Sequence, residues 1–219
     1  MILYTTHPGG RYLALADSLK EEPTGKRNLY VNLTNRCNCA CTFCLRQYKK
    51  MAAESSLWLE KEPTTEEVKT ALNEAPWDFI KETVFCGFGE PTLRQEALTE
   101  LLRYVKELRP DMPTRLNTNG LGELEYGQEI AADFAGILDT ISISLNAATA
   151  ERYLELTRAK YGLSSYEGML AFAVHAQKYV PHVVLTIVDK VEDADEIAKC
   201  RELCQQRGLT LRVRPYEGS

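Results

Sequence analysis

Six short β-rich runs alternate with helical patterns from residue 29 onward, and this alternation restricts what the 219-residue chain can fold into more than any other feature. The runs are Tyr30-Val31-Asn32-Leu33-Thr34, Thr83-Val84-Phe85-Cys86, Thr114-Arg115-Leu116-Asn117-Thr118, Thr140-Ile141-Ser142-Ile143-Ser144-Leu145, Val183-Val184-Leu185-Thr186-Ile187-Val188 and Thr210-Leu211-Arg212-Val213-Arg214. β-Branched and aromatic residues dominate them, which predicts strands. Between them, Leu98, Leu101, Leu102, Val105 and Leu108 recur at helical spacing up to Arg109-Pro110, where proline ends the hydrogen-bond ladder. Thr64-Thr65-Glu66-Glu67 reads as a helix start that carries Val68, Ala71 and Leu72 inward. Further helices are predicted over 126–134, 150–158 and 166–178, and over 193–207 with Gly208 as the stop.

Strands joined by helices form parallel sheets, because parallel neighbours need a crossover and right-handed helical crossovers supply it. The expected class is therefore α/β, as an open doubly wound sheet or an incomplete barrel. Either way, the working site belongs at the carboxyl ends of the strands. Residues 1–28 read as an N-terminal extension with a hairpin around Pro8-Gly9-Gly10, and 29–219 as one domain. Within it, 46–61 is a charged insertion around Leu57-Trp58-Leu59, long enough for a functional loop or lid; Trp58 either caps the site or anchors the loop.

A formal charge of −5 argues against a nucleic-acid coat, whose footprint is basic. No apolar run approaches the ~18 residues of a membrane span, and the first ten residues lack a signal-peptide layout, so the expected compartment is the cytoplasm with no membrane partner. Four of the seven cysteines, Cys37, Cys39, Cys41 and Cys44, crowd into one segment too tight for a disulfide framework. In a reducing compartment that crowding points to metal or redox chemistry. The informative spacing is Cys37-x3-Cys41-x2-Cys44, with Cys39 as a bystander. Soft thiolates select zinc or an iron-sulfur cluster, and no second ligand pair for a structural zinc is evident. Cys86 alternates with Val84, and Cys200 and Cys204 continue an apolar stripe with Ala194 and Ile197; all three are assigned to the core. Arg158 and Tyr161 near the mouth, and Arg212 and Arg214 on one face of the last strand, suit either a substrate anion or an acidic neighbour. His7, His175 and His182 have no ligand-like spacing and are assigned to the surface.

Four ordered segments resemble the radical S-adenosylmethionine (SAM) superfamily over about residues 28–215. Cys37-Asn38-Cys39-Ala40-Cys41-Thr42-Phe43-Cys44 matches the CxxxCxxC signature, and Gly87-Phe88-Gly89-Glu90-Pro91 the GGE motif. Leu116-Asn117-Thr118-Asn119-Gly120 resembles the TNG strand end, and Ile143-Ser144-Leu145-Asn146 an SLD or DLK segment, with Asn146 where relatives often carry a charge. The resemblance implies a partial (β/α)6 TIM-like barrel of the radical SAM type. It also implies a [4Fe-4S] cluster on Cys37, Cys41 and Cys44 with SAM chelating the fourth iron. Phe43 would lie near the adenine; Gly87 and Gly89 would pass the methionine moiety, glycine being required to keep a side chain out of that approach; Glu90 would accept its ammonium; Asn117, Ser144 and Asn146 would face ribose and carboxylate. The implied activity is reductive cleavage of SAM to a 5′-deoxyadenosyl radical that abstracts hydrogen from an unknown substrate, with reduced flavodoxin or ferredoxin as electron donor. Among subgroups the chain looks most like small radical SAM proteins associated with TatD-family nucleases, which implies a functional link to such a nuclease. An activase acting on a peptide or protein and, in a different class, a zinc-stabilised binding protein are the competing expectations.

Overall fold

The computed structural model describes residues 1–7, 10–48 and 56–216. The elements run β1 (Leu3–His7), β2 (Arg11–Leu13), α1 (Leu15–Glu21), β3 (Arg27–Val31), α2 (Leu45–Tyr48), α3 (Thr65–Asn73), β4 (Ile80–Phe85) and α4 (Gln95–Leu108). They continue with β5 (Thr114–Thr118), α5 (Gly122–Tyr126), β6 (Thr140–Ser144), α6 (Ala150–Thr157), α7 (Ser164–Ala176), β7 (His182–Val188), α8 (Ala194–Gln206) and β8 (Thr210–Arg214). By packing, the chain divides into two compact units, Met1–Arg36 with Lys50–Leu116, and Cys37–Lys49 with Asn117–Ser219.

In the first unit β1 pairs antiparallel with β2 and with β3, and β3, β4 and β5 run parallel. Inside it, Leu29, Val31, Val68, Leu72, Phe85, Leu98, Leu101 and Leu102 are buried. The expected start of α3 is closed by a capping box: Thr64 Oγ1 accepts from Glu67 N–H, and the Glu67 carboxylate accepts from Thr64 N–H. The first predicted strand lies three residues earlier than expected. Asn32 follows the last strand residue: its N–H donates to Ile2 O at 2.8 Å, in register with the β1–β3 pairs, and its side-chain amide donates to Leu57 O at 2.7 Å. At the other end, buried Arg27 opens β3, donating to the Ser18 hydroxyl and, at 2.7 Å, to Glu22 O. That ties down α1, an element the apolar pattern does not announce.

In the second unit β6, β7 and β8 run parallel in chain order. Ile141, Ile143, Tyr153, Met169, Phe172, Leu185 and Ile187 are buried, and so are Cys200 and Cys204 on α8, which fits their assignment as packing cysteines. The helix expected over 126–134 is not continuous. α5 ends at Gly127, whose φ of +65° is the left-handed stop that glycine adopts without strain, and a separate 3-10 turn occupies Ala131–Phe134.

Candidate metal centre and cofactor site

The cysteine loop, in the second unit, is held by the end of a helix. The last carbonyls of α6 have no partner within the helix. Two of them accept from the loop instead: Ala40 N–H donates to Thr157 O at 2.9 Å and Thr42 N–H to Leu156 O at 2.8 Å. Arg158 takes φ +47° and closes α6, so its assignment is first a backbone one. Just beyond it, Lys160 N–H donates to Asn38 O at 2.9 Å. The loop is thus fixed by main-chain bonds on both flanks of Cys39.

Cys37, Cys41 and Cys44 are partly exposed on this loop, whereas Cys39 is buried. Cys39 nevertheless hydrogen-bonds with Cys37 and Cys41; those bonds and burial raise its pKa, and its bond lowers that of Cys41. Burial raises Cys44. Among the described residues no three His, Cys, Asp or Glu side chains converge on one metal-ion position. A four-iron cluster takes each thiolate on a separate iron, so it does not require that convergence. Three accessible thiols on one anchored loop, with no carboxylate or imidazole among them, are a soft donor set of the kind such a cluster takes.

Around the loop lies a polar network that sequence reading did not find. Asn119 Oδ1 accepts from Leu121 N–H at 3.0 Å, the turn expected of an Asn-Gly pair. Its amide nitrogen donates to Asn38 Oδ1 at 2.6 Å and faces the sulfurs of Cys39 at 3.5 Å and Cys37 at 3.8 Å. Asn38 in turn donates to Glu125 Oε2 at 3.4 Å. Tyr161 donates to that same oxygen, and Lys160 Nζ lies 3.0 Å from Glu125 Oε1. Tyr161 above all, then Lys160 and Asn38, hold the Glu125 carboxyl below its usual pKa. Nothing in the local sequence around Glu125 marks it.

Of the remaining candidates in this unit, Phe43, Asn117 and Ser144 are partly exposed and Asn146 is buried. Asn146 has φ +63°, a left-handed conformation that asparagine tolerates, which gives it a backbone role at this position. Arg212 donates to Ser142 Oγ at 3.2 Å across the β6–β8 face. His175 is not a plain surface residue: its Nδ1 lies 2.8 Å from Glu123 Oε2.

The first unit carries the Gly87–Pro91 segment. A Cβ on Gly87 would stand 2.0 Å from Asn32 Oδ1, and one on Gly89 would stand 2.3 Å from Thr34 O and 2.5 Å from Arg36 O. The expected reason for these glycines was an approaching ligand. The chain's own atoms, on the segment leaving β3, already exclude a side chain at both positions. Glu90 is buried, its N–H donates to Arg36 O at 2.7 Å, and its Oε1 accepts from Thr92 N–H at 3.1 Å and Thr92 Oγ1 at 2.8 Å, capping a 3-10 turn. Cys86 is only partly buried, contrary to its core assignment, because it follows the end of β4, where its carbonyl accepts from Tyr4 OH at 3.2 Å. Residues 49–55 of the expected insertion lie outside the described residues. In its described part, Asn32 and Asn35 hold the backbone of Leu57 and Leu59, and half-exposed Trp58 packs edge-on against Phe88 at 5.2 Å.

Comparison with known proteins places this arrangement. The radical SAM superfamily matches residues 31–204. A curated relative, the GTP 3′,8-cyclase of Corynebacterium glutamicum (strain R), is 35% identical over 196 residues, covering 85% of this chain and 48% of its own. The chain therefore spans about half the length of the curated relatives it matches. Those relatives are named for GTP 3′,8-cyclase, so they do not support the expected TatD-associated subgroup or its nuclease link. Streptococcus suis SuiB, solved with S-adenosylmethionine, aligns with TM-score 0.63 at 18% identity over 91% of this chain and 42% of its own. A second structure, anSMEcpe with bound AdoMet, aligns with TM-score 0.60 at 21% identity over 85% and 51%. Both share the partial TIM-barrel fold that the superfamily resemblance implies. With the CxxxCxxC loop, the Gly-x-Gly-Glu-Pro segment and strands β4 to β7 falling inside the matched span, the chain belongs to the radical SAM superfamily, an enzyme family that works with a [4Fe-4S] cluster and SAM.

Proposed function

We propose that the chain cleaves SAM reductively and directs the resulting 5′-deoxyadenosyl radical to abstract hydrogen from a small, nucleotide-related substrate. The observation that carries this reading is the cysteine loop, which presents Cys37, Cys41 and Cys44 while Cys39 is turned inward. The three presented thiolates would hold the cluster, which supplies with SAM the one-electron cleavage that yields methionine and the radical. Phe43 would flank the adenine, and Asn117, Ser144 and Asn146 would bind ribose and carboxylate. Gly87 and Gly89 set the path of a backbone that would lie along the methionine moiety. Glu90 would accept the ammonium group, its carboxylate being oriented in advance by Thr92. Reduced flavodoxin or ferredoxin would deliver the electron. The substrate class rests on the names of the curated relatives, which act on GTP; because the chain spans about half of them, cyclisation of GTP is not carried over with it.

Anaerobic reconstitution with iron and sulfide tests the reading. It should give about four iron per chain, the content of one [4Fe-4S] cluster, and 5′-deoxyadenosine after reduction with SAM. Cys41→Ala is expected to abolish both. Cys200→Ala should keep both and cost about 1–2 kcal/mol of stability, as loss of a buried thiol does. A colourless protein with stoichiometric zinc and no 5′-deoxyadenosine would establish the binding-protein alternative instead.

A further inference from the structure

We infer that Asn119 is a positioning residue for the cysteine loop: it clamps Asn38 and directs amide N–H groups at the sulfurs of Cys37 and Cys39. The orientation of its amide is fixed by its partners. Leu121 N–H can only donate, so the atom it meets at 3.0 Å is the Asn119 oxygen, and the NH2 group must face the loop. There it reaches Asn38 Oδ1 at 2.6 Å and the sulfurs of Cys39 at 3.5 Å and Cys37 at 3.8 Å. Asn38 is buried, and the far side of its amide rests on Glu125, which Tyr161 and Lys160 hold in place. A chain of side chains from α5 and the segment after α6 therefore ends on the two residues that follow Cys37. The site's first thiolate is set by Asn119 and by the α6 carbonyls together.

Amide donors aimed at a ligating sulfur withdraw charge from it and favour the reduced form of the group it holds. On the cluster reading, on which this part rests, Asn119 raises the cluster's reduction potential. Two measurements keep the failure of that reading distinct from failure of the inference. The first uses reduced, metal-free protein under anaerobic conditions, with iodoacetamide labelling of each cysteine read by peptide mass spectrometry. Asn119→Ala is expected to label Cys39 about tenfold faster than the unmodified chain, the factor given by one lost hydrogen bond of about 1.4 kcal/mol. Buried Cys200 should be unchanged. Asn119→Ser keeps a side-chain oxygen able to hold the turn but has no amide N–H; should Asn119→Ala not fold, it carries the same expectation. The second measurement is a redox titration of the reconstituted protein followed by EPR, in which Asn119→Ser is expected to have the more negative midpoint potential. Unchanged Cys39 labelling overturns the clamp, and an unchanged potential overturns the sulfur-tuning role. An unmodified chain that takes up no iron overturns the cluster reading, while the labelling result still decides the clamp.

Discussion

Gly89 and Gly127 are the same residue type under opposite constraints, and a methyl group at each separates them. At Gly89 the added carbon would lie 2.3 Å from a main-chain oxygen of Thr34, which cannot move without moving the segment that leads from β3 into the cysteine loop. Around Gly127 there is open space, and only the φ of +65° resists a side chain. Gly89→Ala is therefore expected to lose about 3 kcal/mol or more as an overpacked site, and Gly127→Ala about 1 kcal/mol as a strained one. Urea denaturation of the metal-free proteins measures both, free of any effect on cofactor binding. Gly89 was legible as a motif member, whereas Gly127 fell inside a stretch expected to be helical. What Gly89 excludes was not legible, because the excluding atoms come from elsewhere in the chain.

At the scale of elements, side chains do work that strands and helices would otherwise do. Asn35 closes a two-bond ladder with Leu59, donating from Nδ2 to its carbonyl at 2.7 Å and accepting its N–H at 3.1 Å on Oδ1. The flanking Leu57 and Leu59 side chains are buried, which turns Trp58 outward. Asn35→Ala is expected to speed amide exchange at Leu59 by roughly tenfold, one hydrogen bond's worth, while the exchange of α3 stays unchanged. Hydrogen exchange read by mass spectrometry or NMR resolves the two. The capping box of α3, the Asp193 cap of α8 and the proline stop after α4 could be read from neighbouring residues alone, because a cap is a contact between residues three apart. The bounds of β3 could not, since Asn32 at its end is held by Leu57, 25 residues away, and by the N-terminal residues at once.

For the molecule as a whole, several carboxylates sit below their usual pKa: Glu62 through Arg36, Glu67 through Lys61, Glu100 through Lys69 and Glu125 through Tyr161. A carboxyl whose folded pKa is depressed contributes stability above its unfolded value near 4.3, and that contribution is lost as pH falls through the folded pKa. The metal-free protein should therefore keep a flat Tm from neutral pH to about 5 and lose stability below about 4. Because most of these pairs are exposed, the effect should shrink in high salt. A Tm that rises on acidification would contradict these pairings.

The sequence by itself determined the α/β class, the six barrel strands, the cysteine spacing and the membership those features signal, because each is written in local periodicity or in a contiguous motif. Tertiary structure alone decided that the α6 carbonyls hold the cysteine loop, that Asn119, Asn38 and Glu125 form one network, and that Gly87 and Gly89 yield to the chain's own atoms. These are contacts between residues 81 and 87 positions apart in the side-chain network and more than a hundred apart between Ala40 and Thr157, and no local pattern encodes which distant partner a polar group will meet once the strands are in register.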